Sequence, residues 1–96
     1  MDLQAFKDSL GGDSPPEGAD LALQAMWYEA KGDWDKSHSL AQDKNDQIGA
    51  WVHAYLHRQE GDNWNANYWY NRAGRTMPDT SLAEEWDDIV AALLAM

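Results

Sequence analysis

The chain contains no cysteine, few basic residues and no long hydrophobic run. Without cysteine there is no disulfide framework, no thiol nucleophile and no cysteine-based zinc site. No apolar stretch approaches the ~18 residues that a transmembrane helix requires. The N-terminal segment MDLQAFKDSLGGD lacks the basic start and the apolar core of a signal peptide. These absences favour a cytoplasmic protein without membrane partners.

Basic residues are strongly outnumbered, with 7 Lys and Arg against 17 Asp and Glu and a net charge of −10. Nucleic acid binding depends on neutralising phosphate groups with Lys and Arg, so nucleic acid is not an expected partner. The exception to the acidic surplus is the segment 58–75, where three Arg stand against Glu60 and Asp62. The charge pattern therefore predicts an acidic protein with one locally basic segment.

Two Gly-Asp pairs, Gly32-Asp33 and Gly61-Asp62, indicate sharp bends between helices. Glycine suits the position just past a helix where φ is positive, and aspartate is a good N-cap for the helix that follows. Short connections of this kind join antiparallel helices. The sequence therefore predicts an all-α domain with hairpin one over about residues 15–42 and hairpin two over about residues 46–74.

Shorter patterns predict a helix at each end of this domain. Leu3, Phe6 and Leu10 recur at helical spacing and predict a short N-terminal helix. Ser14-Pro15-Pro16-Glu17 has the composition of a helix start with a capping box, which would begin hairpin one. Ser81 to Glu84 forms a second such box and predicts a C-terminal helix over about residues 81–95.

The predicted C-terminal helix carries an apolar stripe that has to be buried. Its members recur at helical spacing: Leu82, Trp86, Ile89, Val90, Leu93 and Leu94. We expect this helix to cap the second hairpin by covering Trp64 and Tyr68, because the last unit of a helical stack otherwise exposes an apolar face. A homodimer through the same helix is a second expectation.

Hairpin two resembles a tetratricopeptide repeat over residues 47–78. The small, turn, aromatic and proline positions match at Ala54, Gly61, Asp62, Ala66, Tyr70, Ala73 and Pro78. The Trp and Leu-Gly of the repeat's first helix are not in register. The wider string GAWVHAYLHRQEGDNWNANYWYNRAGR also resembles an uncharacterised family of short bacterial proteins, which implies no activity.

The resemblance to a tetratricopeptide repeat implies a groove that receives a peptide. In such repeats the first helices line the groove, and by position the corresponding residues here are Ile48, Trp51, Tyr55, Arg58 and Gln59. Trp, Tyr and Arg are enriched at binding hot spots. Arg72 and Arg75 follow on the next helix and add positive charge. The predicted binding residues are Trp51, Tyr55, Arg58, Gln59 and Arg72, and the expected partner is a protein or an acidic peptide.

A second hypothesis concerns His53, His57 and Glu60, which share one sector of a helix at spacings of four and three residues. Imidazole and carboxylate groups at such spacings bind divalent metals, and His38 on a neighbouring helix could add a ligand. The alternative is that these histidines form hydrogen bonds between packed helices.

Nothing in the sequence forms a catalytic triad, a carboxylate pair in a cleft or a phosphate-binding loop. We therefore predict no catalytic residues and no cofactor. The sequence favours a protein- or peptide-binding helical-repeat module, and the alternative is a small metal-binding protein or metal-dependent enzyme that uses His53, His57 and Glu60.

Overall fold

The computed structural model describes all 96 residues and contains six helices and no strand, which confirms the all-α prediction. The helices form two antiparallel pairs, preceded by one short helix and followed by one long one. Their bounds are α1 Leu3–Ser9, α2 Leu21–Ala30, α3 Trp34–Asp43, α4 Gln47–Gln59, α5 Asn63–Ala73 and α6 Leu82–Leu94.

Both Gly-Asp pairs form the bends that their composition predicts. Gly32 and Gly61 adopt φ values of +87° and +83°, in the left-handed region that costs glycine little. Asp33 caps α3 by accepting a hydrogen bond from the backbone N–H of Lys36, and Asp62 caps α5 in the same way. As a result α2 packs against α3 and α4 packs against α5 as two helical hairpins.

The start of hairpin one differs from the prediction, because α2 begins at Leu21 with Asp20 as its N-cap. The segment Ser14 to Glu17 is not helical. A proline disfavours the helical conformation of the residue before it, so two consecutive prolines disfavour helical geometry at both Ser14 and Pro15. Gly18 then turns the chain with φ at +84°, and the helix starts after this turn.

The core lies between the first helices of the two hairpins and α6. α2 and α4 contribute twelve of the buried residues, and α6 packs against both of these helices. The predicted capping box is present at Ser81 and Glu84. The Trp86 indole N–H donates to the backbone carbonyl of Met26 at 3.3 Å, which ties α6 to α2. α1 also packs against α6 and buries Phe6, whose ring lies 6.0 Å from that of Trp86.

α6 does not cover Trp64 and Tyr68, so the expected position of this helix was wrong. Trp64 is 78% exposed and Tyr68 is 45% exposed. The apolar stripe of α6 is buried against α2 and α4 instead, which removes its apolar side chains from water just as the expected position would. A homodimer through α6 stays a prediction, and it would have to use residues outside this buried stripe.

No helix in the structure combines the length and the apolar character needed to cross a membrane.

Candidate functional site

The predicted groove between α2 and α4 is filled by the chain's own α6. Trp51 and Tyr55 are consequently buried. The Trp51 indole N–H donates to Glu85 Oε2 at 3.4 Å, and the guanidinium of Arg75 lies 3.4 Å from the centre of the Trp51 ring. Burial raises the pKa of the Tyr55 hydroxyl. Both aromatic side chains therefore belong to the core, and a peptide reaches them only if α6 moves.

Arg58, also predicted to bind a partner, is held by an internal ion pair. Its Nη1 lies 2.8 Å from Glu85 Oε1, and its Nη2 donates to the backbone carbonyl of Thr80. The Tyr70 hydroxyl lies 2.7 Å from both carboxylate oxygens of Glu85. We call Trp51, Arg58, Tyr70 and Glu85 the Glu85 network. Sequence reasoning missed Glu85. The signal for it is that Glu85 lies four residues before Ile89 of the apolar stripe and thus shares its side of the helix.

The two remaining predicted binding residues lie at the surface. Gln59 donates to Glu29 Oε1 at 2.6 Å, across the two first helices. Arg72 donates to the Tyr68 hydroxyl at 3.1 Å, and its guanidinium lies 5.1 Å from the centre of the Trp69 ring. No carboxylate is within ion-pair distance of Arg72. Its positive charge is therefore available to a partner.

Arg72 continues a row of exposed side chains on α5. Trp64, Tyr68 and Arg72 are spaced four residues apart, which places them along one side of the helix. We call these three residues the outer face of α5. The segment 63–76 around them contains two Arg and no Asp or Glu. A chain with a net charge of −10 thus presents one exposed aromatic surface that carries positive charge.

The three histidines of the chain meet in one place. His38 comes from α3, and His53 and His57 come from successive turns of α4. The ring centres of His38 and His53 are 4.4 Å apart, those of His53 and His57 are 5.0 Å apart, and those of His38 and His57 are 5.7 Å apart. One ring nitrogen from each lies within 4.8 Å of the others. We call these residues the histidine cluster.

Two tryptophans enclose the histidine cluster. Trp34 stacks on His38 with ring centres 4.8 Å apart, and Trp69 stacks on His53 at 3.8 Å. Neither tryptophan was predicted to contact the histidines, because the contact depends on how α3 and α5 pack on either side of α4. Trp69 is next to Tyr68 in the chain, so the cluster and the outer face of α5 are neighbours.

Glu60 does not join His53 and His57 in one group, although the sequence predicted that it would. Its Oε1 lies 2.7 Å from Nδ1 of His57, and its carboxylate groups with His57 and Asp62, not with His53. The third member beside His53 and His57 is His38. The sequence predicted two imidazoles and a carboxylate from one helix, whereas the structure brings together three imidazoles from two helices.

His53 is the most enclosed of the three imidazoles, with 3% of its surface exposed. Among the three histidine rings, only that of His57 forms a hydrogen bond to a protein group, and its partner is Glu60. Burial lowers the pKa of His53 to about 4, and the two neighbouring imidazoles add to this effect. Burial also lowers the pKa of His38. The hydrogen bonds between helices that the structural alternative predicts are therefore absent at His38 and His53.

Beside His53 lies a polar cavity of about 250 Å³. Its charged lining residues are Lys44, Asp46 and Arg72. Lys44 is paired with Asp46 at 2.9 Å. A backbone hydrogen bond from Gly49 lowers the pKa of Asp46, so this carboxylate stays ionised. The cavity brings solvent close to an otherwise buried imidazole.

The fold and these features define an all-α protein of two helical hairpins, with an exposed aromatic and basic face and a histidine cluster beside it. Comparison with models of protein families, with curated proteins and with solved structures finds no match for this chain. A function for this chain therefore has to be inferred from the two surfaces themselves.

Proposed function

We propose that the chain is a protein-binding helical module that recognises an acidic peptide segment through the outer face of α5. The observation that carries this proposal is the exposure of Trp64, which is 78% accessible and lies on the same side of α5 as Tyr68 and Arg72. Large aromatic side chains are usually at least partly buried. An exposed row of Trp, Tyr and Arg has the composition of a binding hot spot.

The chemistry of this face determines the kind of partner. The Arg72 guanidinium can bind a carboxylate with two parallel hydrogen bonds, and the rings of Trp64 and Tyr68 can pack against apolar side chains next to it. Segment 63–76 contains no acidic residue, so no side chain within it repels the carboxylate of an acidic peptide. The nearest acidic residues are Asp46, which is paired with Lys44, and Asp62, which caps α5. Charges more than about 8 Å away are screened at physiological ionic strength.

The outer face of α5 replaces the groove that the tetratricopeptide resemblance implied. Two of the five groove positions, Trp51 and Tyr55, are buried, and Arg58 is paired with Glu85. Gln59 and Arg72 are the predicted binding residues that remain exposed; Gln59 bonds Glu29, and Arg72 is the charged one and has no ion pair. A cytoplasmic location belongs to the same proposal, and peptide binding at the outer face of α5 requires no cofactor.

A peptide library displayed on phage tests this proposal even though the natural partner is unidentified. Selection on the wild-type chain should enrich sequences that place Asp or Glu beside an aromatic or aliphatic residue. The enriched peptides, synthesised and labelled, should bind the wild type and lose at least about tenfold in affinity for a Trp64→Ala/Tyr68→Ala/Arg72→Ala variant, since truncating a hot-spot residue costs more than about 1 kcal/mol.

The matched control is Ser39→Ala/Gln42→Ala, which changes exposed residues on α3, the corresponding helix of the first hairpin. This variant should bind the selected peptides as the wild type does. If selection enriches no acidic motif, or if the selected peptides bind the α5 variant equally well, the outer face of α5 is not the binding site.

A further inference from the structure

Independently of the proposed peptide site, we infer that the histidine cluster is a binding site for one divalent transition-metal ion, of the zinc, nickel or copper class, with His38, His53 and His57 as its ligands. Imidazole nitrogen is a preferred ligand of these ions. Three protein nitrogens with a fourth position open to water is the arrangement of many mononuclear zinc sites. The fourth position here would be taken by water or by a small solvent-borne ligand.

The three imidazoles converge from separate parts of the chain. The chain has three histidines in 96 residues, and all three meet although they come from two different helices. Their nitrogens lie within 4.8 Å of one another. Metal–nitrogen bonds of 2.0–2.1 Å in a tetrahedral site place the nitrogens about 3.4 Å apart, so the nitrogens need to approach by about 1.5 Å at most. The His57 ring, which is stacked on His53 at 21°, also has to rotate. His38 and His57 are only partly buried and have room for this adjustment.

The ring nitrogens of His53 have no hydrogen-bond partner within the protein. The residue is 3% exposed, and no protein group forms a hydrogen bond with its ring. These nitrogens are not sealed from solvent, because a polar cavity of about 250 Å³ lies beside the ring, so they remain accessible to a small ligand. Stacking on Trp69 orients the ring but does not engage its nitrogens. A metal ion bound at the in-plane lone pair of one nitrogen would satisfy this group.

Charge and protonation in the cluster also suit a metal ion. Neutral imidazole is the form that binds a metal, and the partial or full burial of His38 and His53 favours the neutral ring over the charged one. The bond between Glu60 and Nδ1 of His57 leaves Nε2 of that ring without a protein partner. A carboxylate on the far nitrogen of a ligating histidine is the usual outer contact in metal sites, because it fixes the ring and makes it more basic.

A bound ion would also link the two hairpins. His38 lies on α3 of hairpin one, whereas His53 and His57 lie on α4 of hairpin two. The ion would therefore add a bridge to an interface in which α2 and α3 pack against α4 and in which Gln59 bonds Glu29. Binding to the folded chain alone raises the melting temperature as the concentration of metal rises.

The test uses the untagged chain, stripped of metal with a chelator and then titrated with zinc in a calorimeter and with cobalt in an absorption spectrometer. We expect one ion per chain, visible bands of tetrahedral cobalt, and a melting temperature that rises with added zinc. Copper should quench the fluorescence of Trp34 and Trp69, which stack on the cluster. Zinc has a filled d shell and should quench it much less.

Two variants locate the site without disturbing the buried ring. His38→Gln and His57→Gln alter partly buried residues and should each weaken zinc binding at least about tenfold, because each removes one of three ligands. Asp13→Asn is the matched control, since it removes a carboxylate that belongs to neither potential ligand group. It should bind zinc as the wild type does. Absence of stoichiometric binding, or binding that survives in both histidine variants, would overturn the assignment and leave the cluster as aromatic packing.

Discussion

Two clusters of polar side chains lie inside this small protein, and they differ in how completely their hydrogen bonds are made. The buried carboxylate of Glu85 is surrounded by donors from Trp51, Arg58 and Tyr70. The buried imidazole of His53 has aromatic neighbours on its faces and no hydrogen bond to its nitrogens. The Glu85 carboxylate is bonded within the chain, whereas the His53 ring has no protein partner and borders a polar cavity.

The difference shows how a structural polar cluster can be distinguished from a candidate binding site. A buried charge is tolerated when it is paired and hydrogen-bonded, and the Glu85 network meets this condition between α4, α5 and α6. Both oxygens of the Glu85 carboxylate are already engaged by donors from the chain. In the histidine cluster, by contrast, the rings of His38 and His53 make no hydrogen bond to a protein group. The residue types alone did not reveal this, since both clusters mix aromatic and ionisable side chains.

The largest expected effect comes from breaking the Glu85 network. Arg58→Ala should lower the free energy of unfolding by about 3–5 kcal/mol, because it leaves the buried Glu85 carboxylate without its cation. Urea unfolding followed by circular dichroism measures the change. Arg72→Ala is the matched control, since Arg72 is exposed and has no ion pair, and it should change stability by less than about 0.5 kcal/mol. Equal effects of the two variants would show that the Glu85 network does not hold α6 in place.

An effect of intermediate size is expected from acidifying the histidine cluster in the absence of metal. The pKa of His53 is about 4 in the folded chain against an ordinary value of 6.5. Between these values the unfolded chain binds the proton and the folded chain does not. The contribution of His53 to the free energy of unfolding is therefore fully present above pH 6.5, and it is lost as the pH falls towards 4. Between pH 7 and pH 5 the expected loss is roughly 1–2 kcal/mol.

The pH dependence is assigned to His53 by comparison with His53→Leu, which removes the titrating ring. Urea unfolding of both chains at pH 7 and pH 5, with chelator present, should show a smaller loss for the variant. The charged and titratable groups around this ring are His38, His57, Lys44, Asp46 and Arg72. All of them are retained in the variant, so the difference between the two chains reports mainly on His53 and its coupling to the two neighbouring imidazoles. Identical pH dependence in the two chains would show that His53 protonates freely in the folded state.

Much of the fold could be predicted from local patterns. Gly32 and Gly61 with their following aspartates specified both hairpins, and Ser81 with Glu84 specified the start of α6. These signals involve neighbouring residues and depend little on the rest of the chain. The start of α2 was wrong because a capping-box pattern at Ser14 competed with the effect of two consecutive prolines, and the prolines decided the local conformation.

The sites were harder to predict because they depend on how helices pack. The amphipathic stripe of α6 showed that this helix would be buried, but the partner surface was not encoded in its spacing, and α6 packed on α2 and α4. This packing of α6 buries Trp51 and leaves Trp64 exposed. His53 and His57 could be paired from their spacing on one helix, whereas the inclusion of His38 required the packing of α3 against α4.

The smallest expected effect belongs to Trp64, which is part of neither cluster. Trp64→Ala should change the free energy of unfolding by less than about 0.5 kcal/mol, because the side chain is 78% exposed and alanine favours the helix slightly more than tryptophan does. Trp51→Ala, which removes a buried indole that bonds Glu85, should cost about 3–5 kcal/mol in the same urea experiment. A loss above about 1 kcal/mol for Trp64→Ala would mean that another part of the chain covers this ring in solution. The outer face of α5 would then belong to the core, as the sequence first suggested, and would not be free for a partner.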